Sequence, residues 1–397
     1  RYHTYFHILE ILPIALLDMR RFERINNVVE SVEDYRIGGY HPVHLGDLFH
    51  QRYEIIGKLA FGQFSTVWLA RDQRLQRDVT LKILKSAVSE DSQELSILNE
   101  LSHSITPHAG KEHVISLLDH FEHEGPNGLH LCLVFPIMMS DGEAMTIRGK
   151  ARNASFVRAV STQIIIGLDF LHQNNMIHGG NILNYNVKIE GILIFLLDLQ
   201  PANILFTVKQ ARHRESLVPP EFSPVRWLPG ITADSSAPRY LMTSQRPRGM
   251  LDDASFSSLV VKIGDLGGAI RTNDYRSRPV TPLGLGAPEI IEGHSWDSKI
   301  DIWALGCLIF QLATNEALFP LMSFGCVAEE MREDLRALIQ HIMGRGYENF
   351  AIHVGERLPS DFGSKDIEDL ASFLASMLQQ SPGRRSSTRA LLEDQFL

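Results

Sequence analysis

The chain has 397 residues, 44% of them apolar, enough for one large two-lobed domain or two to three small ones with a sizeable core. With 38 basic against 47 acidic residues the net charge is −9, which argues against general nucleic-acid binding and is compatible with a basic peptide partner. Three cysteines, Cys132, Cys307 and Cys326, give neither a disulfide framework nor a zinc spacing and favour a reducing compartment.

Residue 1 is Arg rather than Met, so the chain reads as a fragment or a processed product. Residues 1–32 read as an N-terminal extension. Its arginines (Arg1, Arg20, Arg21, Arg24) are interleaved with Glu10, Asp18 and Glu23, which favours an ordinary amphipathic helix over a transit peptide. The apolar stretch Ile8 to Leu17 is broken by Glu10 and Pro13, and no apolar run reaches the ~18–20 residues of a membrane span. From Tyr53 to Leu69 the pattern is that of β-strands, with a turn at Ala60-Phe61-Gly62. Val79 to Leu84 is a further β run. Ser92 to Leu101 has helical spacing, with Leu95, Leu98 and Leu101 on one face. Val114 to Phe121 and Leu129 to Phe135 read as strands around a Gly-Pro-Asn-Gly turn at 125–128. After Met138 helices take over. Ser155 to His172 is amphipathic, Lys299 to Thr314 is apolar throughout, and Asp366 to Leu378 and Ser387 to Phe396 follow. Residues 211–258, rich in Pro, Ser and Arg, read as a long loop rather than a domain.

The residues that carry chemistry fall in a fixed order. Asp198-Leu199-Gln200-Pro201-Ala202-Asn203 has the D-x-x-x-x-N spacing of a protein-kinase catalytic loop. Upstream, Lys58 to Val67 resembles a kinase Gly-rich loop that keeps only its middle glycine, Gly62. Lys82 follows in Val-Thr-Leu-Lys, a strand of the V-A-I-K type. Glu94 is its preferred ion-pair partner, with Glu90 and Glu100 competing. Asp265 stands in Asp-Leu-Gly, Ala287-Pro288-Glu289 is an A-P-E segment, Asp301 lies in Asp-Ile-Trp, and Arg385 is a candidate partner for Glu289. The series implies an α+β, two-lobed protein-kinase fold with a β-rich N-lobe (33–138) and a mainly helical C-lobe (139–397). The C-lobe is interrupted by segments at 180–197 and 207–258.

Read as a kinase, the site has assigned parts. Asp198 accepts the proton of the substrate hydroxyl, and Asn203 and Asp265 hold Mg²⁺ through hard oxygen donors. Lys82 contacts the α- and β-phosphates of ATP, with Glu94 orienting it. Leu59, Ala60, Gly62, Ser65 and Val67 form the phosphate loop, and Phe135, Ile137 and Met138 form the hinge that holds adenine.

Glu33-Asp34-Tyr35, Gly38-Gly39-Tyr40-His41-Pro42-Val43, Gly46-Asp47-Leu48-Phe49, Arg52-Tyr53 and Phe64-Ser65-Thr66-Val67-Trp68-Leu69 resemble the SR-protein kinases, as does the Asp-Leu-Gly triplet. The likeness covers roughly residues 33–397 without 180–197. It implies a serine/threonine kinase using ATP and Mg²⁺ on arginine-serine-rich proteins. It also implies a docking groove for basic peptides and a place in the cytoplasm, the nucleus or both, while the acidic balance and the short apolar runs lead to an expectation of no direct nucleic-acid and no membrane partner.

Three features depart from the family pattern. Ala60 replaces the first loop glycine, Gln200 replaces the loop lysine that neutralises the γ-phosphate, and residues 180–197 separate His178-Gly179 from Asp198. They keep a second reading open, a pseudokinase scaffold with weak or no transfer. Without 180–197 the loop reads His178-Gly179-Asp198-Leu199-Gln200-Pro201-Ala202-Asn203, uninterrupted. Codons GGT-AAY for Gly180-Asn181 and TTA-GAY for Leu197-Asp198 would supply intron ends, so the segment reads as an intron translated in frame, with a genuine family-specific loop as the alternative. The gene sequence decides that point.

Overall fold

The computed structural model describes residues 20–90, 92–146, 152–179, 199–208, 217–246, 251, 258–273, 286–321 and 328–397. Asp198, the 180–197 segment and the apolar stretch from Ile8 to Leu17 lie outside them. Two compact units form. The first takes in Arg1–Asp91, Leu118–Phe135 and Leu217–Arg246, and the second Ser92–Leu117, Pro136–Ser216 and Pro247–Leu397. Their makeup, one sheet-built and one mainly helical, is that of the α+β kinase fold.

The first unit is built on an antiparallel sheet of six strands: β1 (Leu48–Phe49), β2 (Tyr53–Phe61), β3 (Ser65–Asp72), β4 (Arg77–Leu84), β5 (Asp119–Gly125) and β6 (Gly128–Phe135), in spatial order β1-β2-β3-β4-β6-β5. Alternation buries Phe49, Tyr53, Ile55, Trp68, Ala70, Val79, Leu81, Ile83, Cys132 and Val134 on one face. A four-residue cluster ties the strands at their far end. Arg52 donates to both carboxylate oxygens of Asp72 (2.8 Å each) and to Asp119 (2.7 Å), and the Tyr53 hydroxyl also reaches Asp119 (2.6 Å).

Two strands read from sequence shift their bounds. β2 runs through Ala60 and Phe61, which pair with Val67 and Thr66, so the turn falls at 62–64. With Ala in place of glycine the backbone keeps its β preference. The strand expected from Val114 starts only at Asp119, and Val114 makes an isolated parallel bridge to Ile263 in the second unit.

Residues 20–47 and 217–246 also belong to the first unit. Phe22 bridges Trp227, with ring centroids 4.3 Å apart. The hairpin of β10 (Phe222–Pro224) and β11 (Tyr240–Met242) sends Met242 into the sheet core and Leu241 into a second cluster with Tyr35 and Tyr40.

The second unit holds α2 (Gln93–His103), α3 (Gly142–Thr146), α4 (Ala154–Gln173), α5 (Pro288–Ile291), α6 (Lys299–Thr314), α7 (Ala328–Met343), α8 (Tyr347–Gly355), α9 (Ser364–Met377) and α10 (Thr388–Leu392), α1 being Ser86–Ser89 in the first unit. Between them run β7 (Ser140–Asp141), β8 (Met176–Ile177), β9 (Ile204–Val208), β12 (Leu259–Ile263) and β13 (Ile270–Arg271), as a β12-β9-β7 sheet and a β13-β8 ladder. α6 is apolar all round and accordingly buried all round, from Ile300 to Thr314 apart from Gln311. α4 starts where Asn153 Oδ1 accepts from the Phe156 N–H at 2.9 Å, an N-cap bond. Although Arg158 and Asp169 interrupt its apolar run, α4 is long and apolar enough on average to cross a bilayer by length and composition. Its apolar residues, Phe156, Val160, Ile164, Leu168 and Leu171 among them, are instead buried in the unit. The helix expected over Ser387–Phe396 stops at Leu392. α7 and α8 had no counterpart in the sequence reading.

Candidate active site

In the first unit, strand register assembles one row of residues. Ala60 lies opposite Val67, Val67 opposite Lys82, and Lys82 opposite Leu133. Directly paired residues share a face, and so do residues two apart. Ser65, Val67, Leu69, Thr80, Lys82, Leu84 and Phe135 therefore occupy one face of the sheet, and the apolar core the other. Ala60 follows a bulge between Lys58 and itself, and Leu59 is buried. Gly62 closes the turn, its N–H donating to the Ser65 carbonyl at 2.9 Å.

In the second unit, the pairing of β9 with β12 does the equivalent work. Ile204 pairs with Ile263, so Asn203 and Asp265 emerge at the same end of the ladder. The Gly264 N–H donates to the Asn203 carbonyl at 2.8 Å. Asp265 sits in the left-handed region (φ 49°), a conformation that an Asp tolerates at a cost of about 1–3 kcal/mol. A Cβ built on Gly267 would lie 3.3 Å from Asp265 Oδ1 and 3.6 Å from Glu94 Oε2, so both carboxylates border the same spot. Of the three acids weighed as partners of Lys82, Glu94 alone is buried. Glu90 is exposed and Glu100 pairs with Arg271 at 2.7 Å.

The loop at His178-Gly179 is braced by Asp301. Asp301, 1% exposed on the first turn of α6, accepts from the N–H of His178 and of Gly179 (2.9 Å each) and pairs with His172 Nε2 at 2.8 Å. His178 in turn donates from Nε2 to the Gly264 carbonyl at 3.0 Å, linking this loop to the residue before Asp265. Leu199 is buried, and a 3-10 turn at Pro201–Asn203 follows, entered from Gln200.

The Protein kinase domain family matches residues 53–214 and 249–397. Serine/threonine-protein kinase SRPK of Physarum polycephalum is 31% identical over 415 aligned residues, 93% of this chain and 91% of that protein. Protein kinase dsk1 of Schizosaccharomyces pombe is 31% identical over 75% of this chain and 67% of its own length. SRSF protein kinase 3 of Homo sapiens is 33% identical over 43% of this chain and 30% of its own.

The chain belongs to the SR-protein kinases.

It is a protein serine/threonine kinase, and kinases use ATP, typically with Mg²⁺. The candidate residues divide between its units. Leu59, Ala60, Gly62, Ser65, Val67, Lys82 and Phe135 are in the first, and Glu94, Ile137, Met138, Asn203 and Asp265 in the second. Asp198, assigned as the base, is outside the described residues. The amide of Asn203 and the carboxylate of Asp265, delivered together, are the donor types that fit a magnesium ion. The A-P-E carboxylate is locked as well. Glu289 and Arg385 form a bidentate pair at 2.6 Å for each bond, both buried, with the guanidinium 5.1 Å from the Trp303 ring centroid.

One ion pair of β2, at the start of the candidate phosphate loop, was missed from sequence. Lys58, fully buried, pairs with the buried carboxylate of Glu30, which also accepts from the Tyr35 hydroxyl at 2.6 Å. Burial pulls the Lys58 ammonium below its ordinary pKa, and Glu30 opposes that shift. Gln245 of the 217–246 segment brackets the same residue, accepting from its N–H (3.1 Å) and donating to its carbonyl (2.8 Å). Charged residues 28 positions apart carry no local pattern, so nothing in the sequence announced the Glu30–Lys58 pair.

Proposed function

We propose that this kinase transfers the γ-phosphate of ATP to serine in arginine-serine-rich proteins. The observation that carries the reading is the joint delivery of Asn203 and Asp265 by the β9–β12 register, behind a loop pinned to Asp301. Bound with Mg²⁺, ATP supplies the phosphoryl group. Asn203 and Asp265 would hold the metal, and Lys82, oriented by Glu94, would hold the α- and β-phosphates. Asp198 would take the proton of the attacking hydroxyl. Ala60 and Val67 would lie along the phosphates, and Phe135, Ile137 and Met138 would hold the adenine.

Support for a basic substrate comes from charge. Helix α7 exposes Glu329, Glu330, Glu333 and Asp334, on a chain of net charge −9. Among the relatives, the human protein is named an SRSF protein kinase. On the same likeness we place the kinase in the cytoplasm, the nucleus or both. The test compares an Arg-Ser repeat peptide with a Gln-Ser repeat of equal length. The Arg-Ser peptide is expected to be phosphorylated with a kcat/KM about tenfold or more higher, and less so in Glu333→Gln/Asp334→Asn. Equal rates on both peptides would defeat the substrate assignment. Gln200 favours the scaffold reading, which ATP binding without any transfer would establish.

A further inference from the structure

The tip of the phosphate loop is held from outside the sheet. The Tyr40 hydroxyl donates to the Gly62 carbonyl at 2.6 Å. On the other side of the turn the Lys85 N–H donates to the Phe64 carbonyl at 2.8 Å. We propose that Tyr40 is a positioning residue of the kinase reaction, fixing the turn of the phosphate loop for the nucleotide's phosphates. The inference rests on the kinase reading above and adds to it a residue that lies before the kinase-domain match begins at residue 53.

Sequence and packing leave Tyr40 little freedom. Gly38 takes φ +86°, and a Cβ on Gly39 would fall 1.7 Å from the Asp34 carbonyl oxygen, so Gly-Gly is required to bring the chain into Tyr40. The Tyr40 N–H donates to that same Asp34 carbonyl at 3.0 Å, and Asn127 Nδ2 donates to the Tyr40 carbonyl at 2.6 Å. Its ring, 3% exposed, lies 5.5 Å from Tyr35 and 4.1 Å beneath the Lys85 ammonium, which is itself paired with Asp34 at 2.8 Å. Burial, with Asp34 and Glu30 nearby, pushes the phenol above its ordinary pKa, so the hydroxyl keeps its proton and stays a donor.

The turn itself does not supply this constraint. Gly62 is not in the left-handed region, and a Cβ there would meet nothing within 4 Å. The glycine that the loop retains is therefore not what sets its shape. A tethered carbonyl directs the peptide that follows it, since C=O and N–H point opposite ways in a trans peptide. Tyr40 thus sets the direction of the Gln63 N–H, one of the backbone donors through which such a loop meets phosphate. Ala60 and Ser65 in place of glycines reduce the loop's freedom further. The result is a loop shaped before nucleotide arrives rather than by it.

The experiment uses the full chain with MgATP as probe. Tyr40→Phe keeps the ring, its packing and the Lys85 contact, and removes only the hydroxyl. Tyr53→Phe removes a hydroxyl of the same kind that bonds Asp119 at the far end of the sheet and not the loop. Tyr40→Phe should weaken MgATP binding and raise KM for ATP by about 3- to 10-fold, with KM for the peptide unchanged. Tyr53→Phe should lower the melting temperature while leaving MgATP affinity within about twofold. Equal affinity in the unaltered chain and Tyr40→Phe overturns this inference alone. So does an equal loss in both variants, because stability would then explain it. Failure of the unaltered chain to bind MgATP overturns the kinase reading and this inference with it.

Discussion

His41 shows how one residue couples folding to pH. Its ring lies 4.5 Å from that of His123, 5.0 Å from His130 and 5.5 Å from Phe49, with Nδ1 turned to the bare Cα face of Gly125. Burial first, then His123, His130 and His44, lowers its pKa to about 3. Burial lowers the other three as well, with Asp47 opposing the shift at His44 and His123. The unfolded chain binds a proton at His41 below about pH 6.5, and the folded one does not until about pH 3. The stabilisation is therefore complete above pH 6.5 and is lost as pH falls toward 3. At pH 5 His41 alone accounts for a loss of ~2 kcal/mol. Urea unfolding at pH 7.5, 6 and 5 should show this fall in the unaltered chain and a shallower one in His41→Phe. Parallel pH dependences would contradict it.

At the scale of elements, the pieces legible in the sequence were those with local signals. The apolar run Lys299–Thr314 is α6 to the residue, the stripe from Phe156 to Leu171 is the buried side of α4, and the expected Arg385–Glu289 pair forms once the A-P-E segment is recognised. α7 was passed over because charge dominates it, although Leu335, Ile339 and Ile342 mark its buried side. The 217–246 segment read as a loop because its strands are three residues each, and Met242 and Leu241 find partners only across the fold. Of the site, the Asn203–Asp265 juxtaposition follows from strand register. Tyr40 depends on contacts that no spacing encodes. Segment 180–197 is an element-scale question too. Both its flanks are fixed, His178 and Gly179 on Asp301 and Leu199 in the core, so added chain between them bears directly on where Asp198 falls. A displacement of ~1 Å in a catalytic group can cost ~10²-fold in rate. Deleting 180–197 should raise both specific activity and soluble yield. Equal activity with and without the segment would count against its being foreign to the loop.

For the whole molecule, the proposed function divides the labour between a sheet that would align nucleotide-contacting side chains and a helical unit that would present Asn203 and Asp265 to the metal. The sheet does this by register, the helical unit by the β9–β12 ladder and the Asp301 brace. The 20–52 extension and the 217–246 segment, the one ahead of the kinase-domain match and the other within the gap between its two parts, both grip β2. The measurement that tests this account most directly is transfer of labelled γ-phosphate to an Arg-Ser peptide by the unaltered chain, Asp198→Asn and Asp265→Ala. The account predicts transfer by the unaltered chain, a loss of about 10²–10⁴-fold in each variant, and weakened MgATP binding only in Asp265→Ala. Transfer that survives both substitutions would contradict it.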